Sequence, residues 1–207
     1  MKRIETALIR LAAALCKGED KLIRDCIQRA LAAGATATQL REVIHTSYLF
    51  DGYPTALEGF RILGELTTVQ RVPRGEFSYT GDSVKRWRAR GERLSRKIYG
   101  PQFESLVERV RQMAPELADA MMVEGYGKVL SRPGLEPALR ELCVVAILAA
   151  KNRPRQLLSH SLGALRLGVN PERLRTLPGI LEGVALKGNL LRAVKIINDA
   201  ISRYATP

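Results

Sequence analysis

Apolar residues recur along most of this chain at the three- and four-residue spacing of a single helix face. Over Arg3–Lys17 they are Ile4, Leu8, Leu11, Ala12 and Leu15, with Gly18 as the stop. Leu22–Ala33 repeats the pattern through Leu22, Ile23, Cys26, Ile27, Ala30 and Leu31, and Gly34 ends it. Thr36 with Gln39 has the spacing of a capping box and predicts the start of a third helix, carrying Leu40, Val43, Ile44 and Tyr48. Asp51-Gly52-Tyr53-Pro54 predicts a break, after which Thr55–Leu66 resumes as a fourth helix. Thr67–Asp82 holds Pro73, Gly75 and Gly81 without periodicity and reads as a connector. Helices are predicted again over Ser83–Tyr99, from Phe103 to Met113, and from Pro115 through Tyr126. Beyond them, Leu142–Ala150 is a continuous apolar run, and a further helix bears His160.

The later pattern restates the earlier one. Ala30, Leu31, Gly34, Leu40 and Arg41 are identical, at one constant offset, to Ala164, Leu165, Gly168, Leu174 and Arg175. Thr36 falls opposite Asn170, another residue suited to an N-cap, with Pro171 at the first helical position behind it. Cys26 falls opposite His160, and a two-residue shift aligns Gly52 with Gly188. The expected organisation is a helical unit over 1–66, a connector and basic helix over 67–115, and a second helical unit over 116–207.

Composition supports an all-α fold. The 207 residues are 46% hydrophobic but only 5% aromatic, so the core must be built from Leu, Ala, Ile and Val. No apolar run reaches the roughly 18–20 residues that span a bilayer, and no membrane association is expected. Arg10 interrupts the apolar stretch Ala7–Cys16, which reads as an amphipathic helix rather than a signal peptide. Cys16, Cys26 and Cys143 are an odd set without a CxxC or a metal-ligand spacing. They read as buried thiols of a reducing compartment, and a cytoplasmic location is expected. The net charge of +12 fits nucleic acid, an anionic substrate or solubility. Its densest stretch, Lys85–Lys97, places charge on most faces of a helix around Trp87, Leu94 and Ile98. That pattern fits a helix tracking phosphates or a docked helix with solvated charges; charge alone supplies only a non-specific term, and nucleic acid is not the expected partner.

The run Tyr126-Gly127-Lys128-Val129-Leu130-Ser131-Arg132-Pro133-Gly134-Leu135, followed by Arg140-Glu141-Leu142, resembles the carboxymuconolactone decarboxylase family. So do the apolar helix Cys143–Ala150, then His160, Ala164, Gly168-Val169 and Asn170-Pro171-Glu172. Arg90-Gly91 and Ile98-Tyr99-Gly100 look like the family's lead-in, and Phe50-Asp51-Gly52-Tyr53-Pro54 like its helix-break-helix closing motif. The resemblance implies an all-α fold of two tandem alkylhydroperoxidase D-like units, the first degenerate. It also implies assembly: family members form rings of single units, so a fused pair is expected to give a homo-oligomer, a trimer or dimer.

Two activities are implied. One branch decarboxylates a carboxylated muconolactone without a cofactor. The other resembles alkylhydroperoxidase D, whose chemistry uses a Glu, a CxxC pair and a His nineteen residues after the Glu. Glu141 and His160 have that spacing, but the thiol positions hold Arg153 and Gln156. In the first half Ala7 and Cys26 stand at the Glu and His positions, and Glu19 and Leu22 at the thiol positions. A dithiol cycle needs one thiolate to attack and a second thiol to resolve, so a peroxiredoxin-type antioxidant role is disfavoured. Decarboxylation needs a donor for the developing enolate and an acid for its carbon. The expected catalytic pair is Glu141 and His160, with Arg153, Arg155 and His45 binding a small anionic substrate. No cofactor and no metal are expected. A non-catalytic scaffold or binding protein is the remaining alternative.

Overall fold

A computed structural model describes residues 2–67 and 79–206, and every regular element among them is helical. In chain order these are α1 (Arg3–Lys17), α2 (Asp20–Ala32), α3 (Ala37–Leu66), α4 (Gly81–Tyr99), α5 (Phe103–Met113) and α6 (Pro115–Ala120). They continue with α7 (Pro137–Ala150), α8 (Pro154–Arg166), α9 (Pro171–Arg175), α10 (Leu177–Ile180) and α11 (Lys187–Ala205). Residues 1–69 and 134–207 form one compact unit, and 70–133 form another. Residues 68–78 of the expected connector lie outside the described residues. No described helix is long and apolar enough to cross a membrane.

In the first unit α1 and α7 pack along each other. α2 and α3 flank α1, α8 and α11 flank α7, and α3 also reaches α7. Helix α7 is buried at every position from Arg140 to Ala149, which is why it reads as an unbroken apolar run rather than a stripe. Leu8, Ile9, Leu11 and Ala12 of α1 have no exposed surface. One ion pair is sealed in this core. Arg140 donates to Glu42 Oε2 at 2.9 Å and to Thr46 Oγ1 at 3.1 Å.

The helix signals act as the sequence indicates. Gln39 N donates to Thr36 Oγ1 at 3.1 Å, and Thr36 N donates to Gln39 Oε1 at 2.9 Å, closing the box that starts α3. The break expected at Asp51–Pro54 is instead a kink within one element. Gly52 alone leaves helical geometry (φ 86°, ψ 178°), and helix continues on both sides of it. A side chain would be strained at that φ, and the opened ladder falls where Pro54 has no N–H to donate.

Element positions recur between the two ends of the chain. α1, α2 and α3 start at 3, 20 and 37, and α7, α8 and α9 start at 137, 154 and 171, a constant offset of 134. The turns recur as well. Ala35 N donates to Ala30 O and Gly34 N to Leu31 O, both at 2.9 Å. Val169 N donates to Ala164 O at 3.0 Å and Gly168 N to Leu165 O at 2.9 Å. Gly18 and Asn152, at the same offset, both have positive φ, 74° and 53°.

The second unit is built on α4. Its buried stripe is Ser83, Trp87, Gly91, Ser95, Ile98 and Tyr99, while Leu94 is half-buried. Small residues, more than the expected apolar ones, thus form the docking face. Two cations of this helix are paired locally: Arg88 with Asp119 at 3.0 Å, and Arg96 with Glu104 at 2.6 Å. The helix expected to end at Tyr126 runs from α6 into a wider π-helical stretch, Met121–Leu130, closed by Ser131 N donating to Tyr126 O at 3.0 Å. This stretch packs on α4, so 116–133, drawn with the second helical unit from sequence, belongs with α4 by contact. The approach is backbone to backbone. A Cβ on Gly91 would lie 2.1 Å from Met122 O, and one on Gly127 would lie 2.1 Å from Trp87 O. Neither neighbour is a flexible side chain. Gly91→Ala is therefore expected to destabilise this unit by about 2 kcal/mol or more. Hydrogen exchange should show the loss of protection over 81–130; unchanged protection there would remove the close-packing explanation.

Candidate functional site

The candidate site lies in the hairpin of α7 and α8. Pro137 and Pro154 occupy the first turns of these helices, where a missing N–H costs nothing. The turn between them is tight: Lys151 N donates to Ile147 O at 2.9 Å and Arg153 N to Leu148 O at 3.0 Å. Helix α11 braces this turn, with Asn189 Nδ2 on Ala150 O at 2.9 Å and Arg192 on Asn152 Oδ1 at 2.8 Å. The antiparallel arrangement carries Glu141 on α7 back to His160 on α8.

His160 Nδ1 and Glu141 Oε2 are 2.8 Å apart. The two residues are only 6% and 3% exposed. A carboxylate can only accept, so Nδ1 carries the proton and Nε2 is left for other chemistry. Glu141 Oε1 is buried without a hydrogen-bond partner among the described residues, as is Ser161 Oγ on the next residue of α8. A buried carboxylate oxygen with no donor is costly, and its presence beside an imidazole marks the spot as chemically unfinished.

The kinked helix α3 completes the surroundings. Phe50 meets the His160 ring edge-on, with centroids 5.5 Å apart. The next residue, Asp51, pairs with Lys151 of the α7–α8 turn and accepts from Thr55 Oγ1 at 2.7 Å. Phe50, Asp51 and Lys151 are additions to the expected site; Phe50 precedes the Gly52 kink and is carried to the histidine by the first half of α3. His45, expected as a substrate contact, packs on Phe60 at 4.8 Å between centroids, with Arg41 over the same ring. It sits more than a helical turn before Phe50, which turns it to a different part of α3. Arg153 and Arg155 are exposed at the start of α8.

Three thiols are free. Burial pushes Cys143 up from an ordinary 9.0 to about 12, with Arg140 acting weakly against it. Cys16 is raised further, first by burial and then by the Asp51 charge. Cys26 is also raised by burial. Among the described residues no group of three His, Cys, Asp or Glu side chains could hold a metal ion.

The residues from Pro115 through the end of this hairpin to Asp199 match the model of the carboxymuconolactone decarboxylase family. Over these residues the chain is similar to that family. Its match contains Glu141, His160, Arg153 and Arg155, and it leaves Phe50 and Asp51 outside. The chain is also similar to Peroxisomal protein 2 of Schizosaccharomyces pombe, at 28% identity over 160 residues, covering 73% of this chain and 74% of that protein.

Proposed function

We propose that the protein is a cofactor-free decarboxylase, or a related lyase, acting on a small carboxylated substrate at Glu141 and His160. The observation that carries this reading is the buried 2.8 Å contact between the two, inside the matched segment, with Glu141 Oε1 left open. In the reaction the C–C bond to the carboxylate breaks and CO2 leaves. The electron pair remains on the substrate as an enolate; His160 Nε2 takes up a proton from solvent beforehand, delivers it to the enolate carbon, and the ring returns to its neutral Nδ1–H form. Glu141 holds the ring and balances the imidazolium that precedes transfer. Arg153 and Arg155 draw in the substrate's negative charge. Phe50 covers the histidine, so its movement would admit the substrate.

The test is direct. Purified protein incubated with a carboxylated muconolactone should release CO2 with product formation. No turnover on this or on related β-carboxylated lactones would overturn the enzymatic reading and favour a scaffold.

Raised thiols support decarboxylation over the peroxidase alternative, since a thiol that stays protonated attacks peroxide poorly. All three cysteines are expected to resist a thiol reagent at pH 8 until the protein is unfolded. The sign follows from linkage: burial holds the Cys143 thiol neutral in the fold, so its contribution to stability is complete below pH 9.0 and fades as pH rises toward about 12. Rapid native-state labelling at pH 8, with peroxide turnover sustained by a dithiol, would reverse this ranking.

The same reading takes the constant offset of 134 as a tandem pair of family-type units, the first without the acid–base residues. It also takes the chain to self-associate as a dimer or trimer, supported by Leu186, Leu191 and Val194, exposed at and along α11. The cytoplasm is the proposed compartment, with the peroxisome, from the relative's name, as the competing one; imaging of the tagged full chain separates them.

A further inference from the structure

A cavity of about 490 Å³ opens between α1 and α2, lined by Arg3, Thr6, Ala7, Arg10, Cys26, Arg29, Ala32 and Ala33. Its lining includes Ala7 and Cys26, which stand 134 residues before Glu141 and His160. A methyl group and a thiol fill far less space than a carboxylate and an imidazole. What the substitution removes in acid–base chemistry it leaves as volume.

The charges of the lining have one sign. Its charged residues are all arginines. Arg10 is held in place by Nη1, which donates to Ile180 O at 2.7 Å and Glu182 O at 2.9 Å. Those carbonyls orient the guanidinium without neutralising it. Glu5, the acidic residue next along α1, is engaged by Arg173 at 2.8 Å. Arg3 and Arg29 are exposed at the rim. The positive field reaches the floor: burial pushes the Cys26 thiol up, while Arg10 and then Arg29 act against it and Asp25 adds to it. The remaining walls, Ala7, Ala32, Ala33 and the Thr6 methyl, are small and largely apolar.

We propose that this cavity is a second binding site, for an anion with a short apolar body. The head, a carboxylate or phosphate, sits among Arg3, Arg10 and Arg29, and the body lies along the alanines. The volume falls within the range of small-molecule sites. Guanidinium groups match both head groups by paired hydrogen bonds. The site has no acid–base pair of its own, so it binds without turning over. It stands independently of the chemistry proposed at Glu141 and His160, and either can fail without the other.

The experiment is calorimetric titration of the full chain with hexanoate, hexyl phosphate, inorganic phosphate and, as the neutral control, hexanol. Both alkyl anions should bind saturably, and hexanol should not. The stronger of the two names the head group, and weak binding of inorganic phosphate shows that the apolar wall contributes. Arg29→Glu, an exposed change that leaves the core intact, should weaken the alkyl anions about tenfold or more. Ala7→Leu should weaken them similarly by filling the slot, and both variants should keep the wild-type helical circular dichroism. Absence of anion binding, equal binding of hexanol, or affinity unchanged by either variant would overturn the proposal.

Discussion

Arg140→Ala should lower the unfolding free energy by about 3–5 kcal/mol, the range for breaking one partner of a buried ion pair. Arg140 and Glu42 are 2% and 4% exposed, and Arg140 also donates to Thr46 Oγ1 and to the Glu42 carbonyl, at 3.1 and 3.3 Å. Alanine takes the Arg140 guanidinium away from a carboxylate that stays in the core, and the cost comes from that buried charge more than from the lost attraction. The double variant Arg140→Met with Glu42→Leu should therefore recover most of the loss. Urea unfolding of the single and double variants separates the two contributions. A single variant within about 1 kcal/mol of wild type would show that the pair is not sealed from solvent. The pair also matters for position, because it ties α7 to the half of α3 that precedes Phe50.

His160→Ala and Glu141→Gln should each reduce decarboxylation by about 10²–10⁴-fold, the usual worth of positioned proton transfer. His160→Ala removes the acid. Glu141→Gln keeps the shape but removes the charge that favours the imidazolium. The two losses should fall well short of multiplying in the double variant, since the residues act as one unit. Phe50→Ala should change KM and kcat together, because the ring both covers the histidine and packs against it. If Glu141→Gln retains full activity while His160→Ala loses it, the carboxylate is structural and the proton is supplied without it.

Much of this could be read from the chain. α1 has the ends its pattern predicts, and the Thr36–Gln39 box opens α3 where the spacing places it. Glu141 and His160 were legible because a helical hairpin of fixed length converts a separation of nineteen residues into a contact. Phe50 was not, since its contact with His160 depends on how the half of α3 before Gly52 lies against the α7–α8 hairpin, and periodicity carries no information on that. The π-helical stretch was hidden for a similar reason. Met121–Leu130 lies against α4 where its own Gly127 meets Trp87 and where Gly91 meets Met122, and a close backbone approach leaves only glycines in the sequence, which read equally well as flexible points. His45 went to Phe60 because spacing along a helix gives a face without naming what meets it. The cavity beside Cys26 was visible only as missing residues, Ala7 and Cys26 in place of a Glu and a His.

The central claim is a buried imidazole whose Nδ1–H is committed to Glu141. Nitrogen-15 NMR of the imidazole rings reads this directly, and with two histidines in the chain a His45→Gln variant assigns the signals. His160 Nδ1 is expected to carry a hydrogen-bonded proton in slow exchange with water, and Glu141→Ala is expected to abolish that signal. A bare Nδ1 with the proton on Nε2, unchanged by Glu141→Ala, would contradict it.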